Sequence, residues 1–287
     1  MDEAITSPVP TRTDSAFRSG AIVGLLGFLS VVPFYVWIHH LQAQDKSAAA
    51  LAMASMHMNN MHQFWSFPIL QATGLAGLIW AYIGVTLGLF ESARTASWMP
   101  LSRPQVDRLH RQISLLVIAL MAAHVVATGL DAMGDNWKTV IIPWQWANQG
   151  WPQAVTGYTT GIVAFYLALL LGPTYYLRRF IGVTRWRFLH RFVIVVYILS
   201  FWHTMILGLD ISHYGWVRPF MWIMQIPLLV LFARRLLQPA ASSGSPGSSA
   251  AALRRATGRG LAVASWVGII AVGVIVVTGN SGFITNV

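Results

Sequence analysis

Residues 112–130 read QISLLVIALMAAHVVATGL, nineteen positions without an Asp, Glu, Lys or Arg and with one histidine, His124. Leu109-His110-Arg111 stands immediately before them. As a helix rising about 1.5 Å per residue, such a run spans about 30 Å, the thickness of a bilayer's hydrocarbon core. Two histidines near a membrane run are costly to keep there, so they pose a functional question along with the structural one.

The same charge-free pattern recurs at 20–38, 67–90, 157–177, 192–209, 219–233 and 260–278. The run at 219–233 is short but extends to Trp216 and Leu236, with Arg218, Arg234 and Arg235 at its ends. Of 287 residues, 55% are hydrophobic and 10% charged, whereas a soluble domain carries roughly 25% charged residues. Inside lipid, only helices and closed barrels satisfy the backbone, and unbroken apolar runs of this length specify helices. The first run, Gly20–Ile38, is longer than a signal-peptide core and leads into His39-His40-Leu41-Gln42, so it reads as a retained helix. The expected fold is all-α: a polytopic membrane helix bundle of about seven transmembrane helices, six in a core and one C-terminal to it. The expected divisions are a cytoplasmic tail at 1–19, the core at 20–236, a linker at 237–259 and an extra helix with an outside tail at 260–287. The linker's centre, Ser242-Ser243-Gly244-Ser245-Pro246-Gly247-Ser248-Ser249, has a flexible composition.

Basic residues orient the bundle. With the N-terminus in the cytoplasm, sixteen Lys and Arg lie inside and only Lys46, Lys138 and Arg218 outside. The acidic residues divide almost evenly, so the bias belongs to Lys and Arg. This topology places the C-terminus outside, in a plasma or inner membrane. The net charge of +10 then faces anionic lipid. Nucleic acid is a poor partner for arginines scattered over several short loops. There is no cysteine, which excludes disulfides, thiolate-held iron–sulfur clusters and covalent heme attachment.

The histidines carry the chemistry. Leu109-His110-Arg111 opens the third helix, which also contains His124; Leu189-His190-Arg191 opens the fifth, which also contains His203. Thirteen residues separate the first pair and twelve the second, placing the members of each roughly 20 Å apart along the axis. Both helices run from inside to outside, so His110 is expected to face His190 at one depth and His124 to face His203 at another. Neutral imidazole is a good axial ligand of heme iron. Two such ligands fill the coordination sphere and favour electron transfer over oxygen binding at the metal. Arg111 and Arg191 suit heme propionates; the other reading, that they mark the cytoplasmic interface, stays open. In a straight helix fourteen steps return to within ~40° of the starting face, but thirteen miss by ~140°. The fifth helix must therefore twist or bend.

This spacing resembles the transmembrane domain of the ferric reductase and NADPH oxidase family over roughly residues 67–236. The resemblance implies two stacked b hemes, less readily one, with His110 and His190 on the inner heme and His124 and His203 on the outer. It also implies electron flow from a cytosolic flavoprotein donor to ferric iron, oxygen or a partner redox protein outside. Family members that oxidise NADPH add a flavin and nucleotide domain after the core, where this sequence has a linker and another helix. No Gly-x-Gly-x-x-Gly follows a strand here, so neither a flavin nor a nicotinamide site is expected in the chain, which reads as an oxidoreductase subunit needing a separate donor. It is similar as well to heme membrane subunits that serve an extracytoplasmic reductase.

A competing class is metal handling. Met53, Met56, His57, Met58, Met61 and His62 crowd one outside stretch behind His39 and His40. Thioether and imidazole suit Cu(I), but adaptable Met filler in an interfacial segment is the plainer account. His213 near Asp210 reads as a turn residue, and Trp137, Trp144, Trp146 and Trp151 as an interfacial belt.

Overall fold

The computed structural model describes residues 12–44, 66–92, 101–130, 137–145, 152–208 and 216–237, with isolated positions 256, 260, 263, 264, 266–268 and 270. The described residues contain helices and no strand. In chain order they form α1 (Arg12–Leu29), α2 (Val31–Gln44), α3 (Ser66–Ser92), α4 (Arg103–Gly129), α5 (Trp137–Ile141) and α6 (Pro152–Leu171). Then follow α7 (Thr174–Ile181), α8 (Val183–His190), α9 (Val193–Leu207), α10 (Val217–Ile223) and α11 (Gln225–Leu237). Five stretches are long and apolar enough to cross a membrane: Arg18–His40, Ser66–Glu91, Arg103–Gly129, Val183–Leu207 and Val217–Leu236. The pair α6–α7 makes a sixth if its bend of 49° is taken within one span. The chain is a multi-pass helical membrane protein. Most of the linker and most of the expected seventh helix lie outside the described residues. The described positions of 260–270 are helical, with Val263, Trp266, Val267 and Ile270 exposed.

Four spans expected as single helices are broken, and three breaks lie beside a proline. Proline lacks an N–H, and its ring crowds the carbonyl four residues earlier. Pro33 follows the break at Ser30 between α1 and α2; there the Ser30 hydroxyl donates to the Gly27 carbonyl at 2.5 Å and accepts from the Trp80 indole N–H at 2.9 Å. Pro173 sits in the bend between α6 and α7, beside Gly172, which lies close against Ile118. Pro227 follows the break at Met224 between α10 and α11. The fourth break, at Arg191-Phe192 between α8 and α9, has no proline. There Arg191 N–H bonds to the Phe188 carbonyl (3.2 Å), Phe192 N–H to Leu189 (3.0 Å) and Val195 N–H to Phe192 (2.9 Å). These i to i−3 bonds mark a tighter winding, at about three residues per turn. Between α7 and α8, Gly182 turns the chain with φ +86°.

Packing pairs α3 with α4 and α6 with α9. Along the first pair Gly74 meets His124, Gly77 meets Leu120, Gly84 meets Ile113 and Gly88 meets His110. One number rises as the other falls, so the helices run antiparallel with small residues admitting close approach. On the second pair Gly157 meets Leu207 and Gly161 meets His203, and Ala164, Ala168 and Leu171 cluster with Val196. Leu78, Tyr197, Phe201, Met205, Val217 and Leu228 join α3, α9, α10 and α11 in a further cluster. Burying apolar side chains does not drive association against lipid tails, so this interlocking of shapes is what holds the helices together. The outer faces stay apolar: Leu25 is 61% exposed and Leu170 68%, as lipid contact requires.

Candidate functional site

α4 and α9 bring the four histidines together in two pairs. The His110 and His190 ring centroids lie 6.0 Å apart with planes crossing at 87°. The His124 and His203 centroids are also 6.0 Å apart, with planes crossing at 86°. On α4 the spacing does this directly, because fourteen residues almost complete four turns. On the opposite side the break at Arg191-Phe192 supplies part of the rotation that thirteen residues lack. His190 ends α8 and His203 lies on α9. Tighter winding turns about 120° per residue in place of 100°, which moves the face in the required direction.

Each separation suits a metal between the rings. A metal–imidazole bond of about 2 Å on each side, plus about 1.1 Å from ring nitrogen to centroid, puts trans rings about 6 Å apart. The ring nitrogens are prepared for this. His110 Nδ1 lies 2.9 Å from the Gly84 carbonyl, His124 Nδ1 2.6 Å from the Leu70 carbonyl and His203 Nδ1 2.8 Å from the Gly157 carbonyl. A carbonyl only accepts, so each Nδ1 carries the proton and donates it. That tautomer leaves the Nε2 lone pair free for a metal. His190 is held differently, with its ring stacked on Trp186 at 5.4 Å and 29°.

The His110–His190 end also gathers cations. Arg111 donates to the Tyr175 hydroxyl and pairs with Asp107 at 3.1 Å. The Arg178 guanidinium lies 3.9 Å from the Tyr175 ring centroid and 5.8 Å from that of Trp186. Arg111 therefore stands beside the His110–His190 pair, whereas Arg191 is exposed at the break after α8. Sequence reasoning missed Arg178, Tyr175 and Trp186, because the 49° bend beside Pro173 and the contacts it brings to this end were not foreseen. Arg218 also differs from its expected place at a wet helix end. It is 8% exposed, and its Nε has no hydrogen-bond partner among the described residues.

The second constellation is only partly visible. Tyr35, Val36, His39 and His40 line an open cleft, with Tyr35 stacked on His39. The Met/His segment, His213, Trp146 and Trp151 lie outside the described residues, while Trp137 and Trp144 are exposed. No group of three or more His, Cys, Asp or Glu forms a metal site among the described residues. Each histidine pair offers two ligands, fewer than such a group requires.

No curated protein and no solved structure matches the chain. Residues 76–201 match the family described as ferric reductase like transmembrane component. The matched segment contains His110, His124 and His190 and stops two residues short of His203. It runs from within α3 to within α9, leaving Leu70 and Gly74 before it and His203 after it. Over residues 76–201 the chain is thus similar to a ferric reductase-like transmembrane component.

Proposed function

We propose that this protein carries electrons across its membrane through two b hemes, one held by His110 and His190 and the other by His124 and His203. The donor is on the cytoplasmic side and is a separate flavoprotein. The acceptor lies outside and is ferric iron, oxygen or a partner redox protein. The observation that carries this reading is the pair of 6.0 Å ring separations at two levels of one bundle. Heme held by these histidines would supply one-electron redox chemistry.

The chain's own residues account for the rest. Carbonyl-bound Nδ1–H groups fix three imidazoles in the ligating tautomer. Arg111 and Arg178, gathered on Tyr175, offer two cations to heme carboxylates at the His110–His190 end. Arg191, exposed nearby, is available to the same groups from the cytoplasmic surface. Apolar side chains from α3, α4, α6 and α9 keep water from the path. The two levels lie about 21 Å apart along α4, so the pair bridges most of the membrane. Orientation rests on the sixteen inside and three outside basic residues.

The test is heme stoichiometry on the purified chain, with absorption spectra before and after dithionite. Two reducible b hemes per chain are expected, falling to one or fewer in His124→Ala or His203→Ala. One heme in the unaltered protein would leave a single-heme membrane subunit of an outside reductase. None, from cells supplied with heme precursor, would overturn the proposal and favour metal handling by the Met/His segment.

A further inference from the structure

Three of the four rings rest in the same local device. Gly74 lies four residues after Leu70, whose carbonyl binds His124; Gly88 lies four after Gly84, whose carbonyl binds His110; Gly161 lies four after Gly157, whose carbonyl binds His203. A methyl group at Gly74 would come 3.0 Å from His124 Nδ1, and one at Gly88 3.0 Å from His110 Cε1. At Gly161 it would fall 2.7 Å from His203 Cε1.

The offset of four has a physical cause. Side chains of a helix lean toward its N-terminus, so the residue at i+4 covers the carbonyl at i. That carbonyl already accepts the N–H of i+4 and has a second lone pair. Removing the side chain at i+4 uncovers it and opens space for a flat ring. A glycine costs a helix about 1 kcal/mol relative to alanine, so three in this one relation to three histidines require a gain elsewhere. On α3 the two notches are fourteen residues apart, as are His110 and His124 on α4. The notches repeat in register with the ligands they face.

We propose that Gly74, Gly88 and Gly161 are positioning residues for the heme ligands, each uncovering the carbonyl that fixes one imidazole and strengthens it as an electron donor to iron. This rests on the two-heme reading above. It assigns α3 a part in both sites although it carries no ligand, and α6 a part only in the site of His124 and His203. A hydrogen bond from Nδ1 makes imidazole more basic and favours ferric iron. Filling a notch therefore weakens the bond and raises that heme's reduction potential.

The experiment is an optical redox titration of the full-length protein, unaltered and as Gly74→Ala, Gly88→Ala and Gly161→Ala. Gly77→Ala is the control: it lies between the α3 notches, and its methyl would sit 3.5 Å from Leu120 Cβ, an ordinary contact. His110→Ala and His124→Ala identify the two components. Gly74→Ala and Gly161→Ala are expected to shift upward, or to lose, the component missing in His124→Ala. Gly88→Ala is expected to do so to the component missing in His110→Ala, and Gly77→Ala to neither. No shift in any of the three, equal shifts or joint loss of both components, or the same change in Gly77→Ala would overturn the proposal. Should Gly161→Ala fail to fold, the two α3 variants decide the matter by hitting different components. Absence of heme from the unaltered protein would instead be the failure of the two-heme reading itself.

Discussion

In the proposed two-heme conduit, single side chains set how the two ends differ. The His110–His190 end has Arg111 and Arg178 gathered on one tyrosine. A positive charge beside an iron disfavours its ferric form, the more positive of the two states, and so raises the potential. Arg178→Ala and Arg111→Ala are therefore expected to lower the potential of the component lost in His110→Ala, by more than they move the other. A redox titration at two salt concentrations checks this, with the smaller effect at high salt. The four histidines were legible in the sequence because an imidazole inside an apolar run is rare. The glycines opposite them were not, because glycine in a membrane helix most often serves plain packing. The useful signal was joint: Gly74 and Gly88 share the spacing of His110 and His124, which becomes visible only once α3 is known to lie antiparallel on α4. Ser114 and Thr128 continue the pattern, each four residues after a histidine and each donating to that histidine's carbonyl, at 2.7 and 2.8 Å.

Four helices predicted as whole spans were found in pieces, while α3 and α4 run unbroken. Hydropathy reports how many apolar residues cross the membrane, not whether they do so in one straight helix. Pro33, Pro173 and Pro227 marked three of the breaks in the sequence. The fourth, at Arg191-Phe192, was legible only as an angular mismatch between His190 and His203. The turn between α7 and α8 depends on Gly182, whose φ of +86° and ψ of 141° suit glycine alone. A Cβ there would meet nothing within 4 Å, so any penalty is one of backbone conformation. Gly182→Ala is expected to cost about 1–3 kcal/mol. Gly24→Ala, on an equally open helical glycine of α1, is expected to be neutral or slightly stabilising. Thermal unfolding in detergent, followed by circular dichroism, compares the two. Equal melting temperatures would show that the α7–α8 turn relaxes around a side chain.

The assembled bundle has a sidedness that its charges record and its helix packing does not. The absence of native cysteine makes that testable with single introduced thiols. Ser243→Cys, in the linker, is expected to react with a membrane-impermeant maleimide only after the cytoplasmic face is opened. Trp144→Cys, at a position 70% exposed, is expected to react in intact cells. The reverse pattern would invert the bundle and with it the proposed direction of flow. The ring crossings of 87° and 86° bear on the whole protein in another way. With heme iron bound as proposed, crossed imidazoles would donate equally into the two iron d orbitals that parallel rings would split. With those orbitals nearly degenerate, the unpaired electron keeps much of its orbital momentum. Frozen ferric protein should then show paramagnetic resonance dominated by one steep feature at large g for each iron, in place of the three spread features of parallel ligands. The two levels of the bundle would be near-twins in a magnetic field while differing in their affinity for electrons.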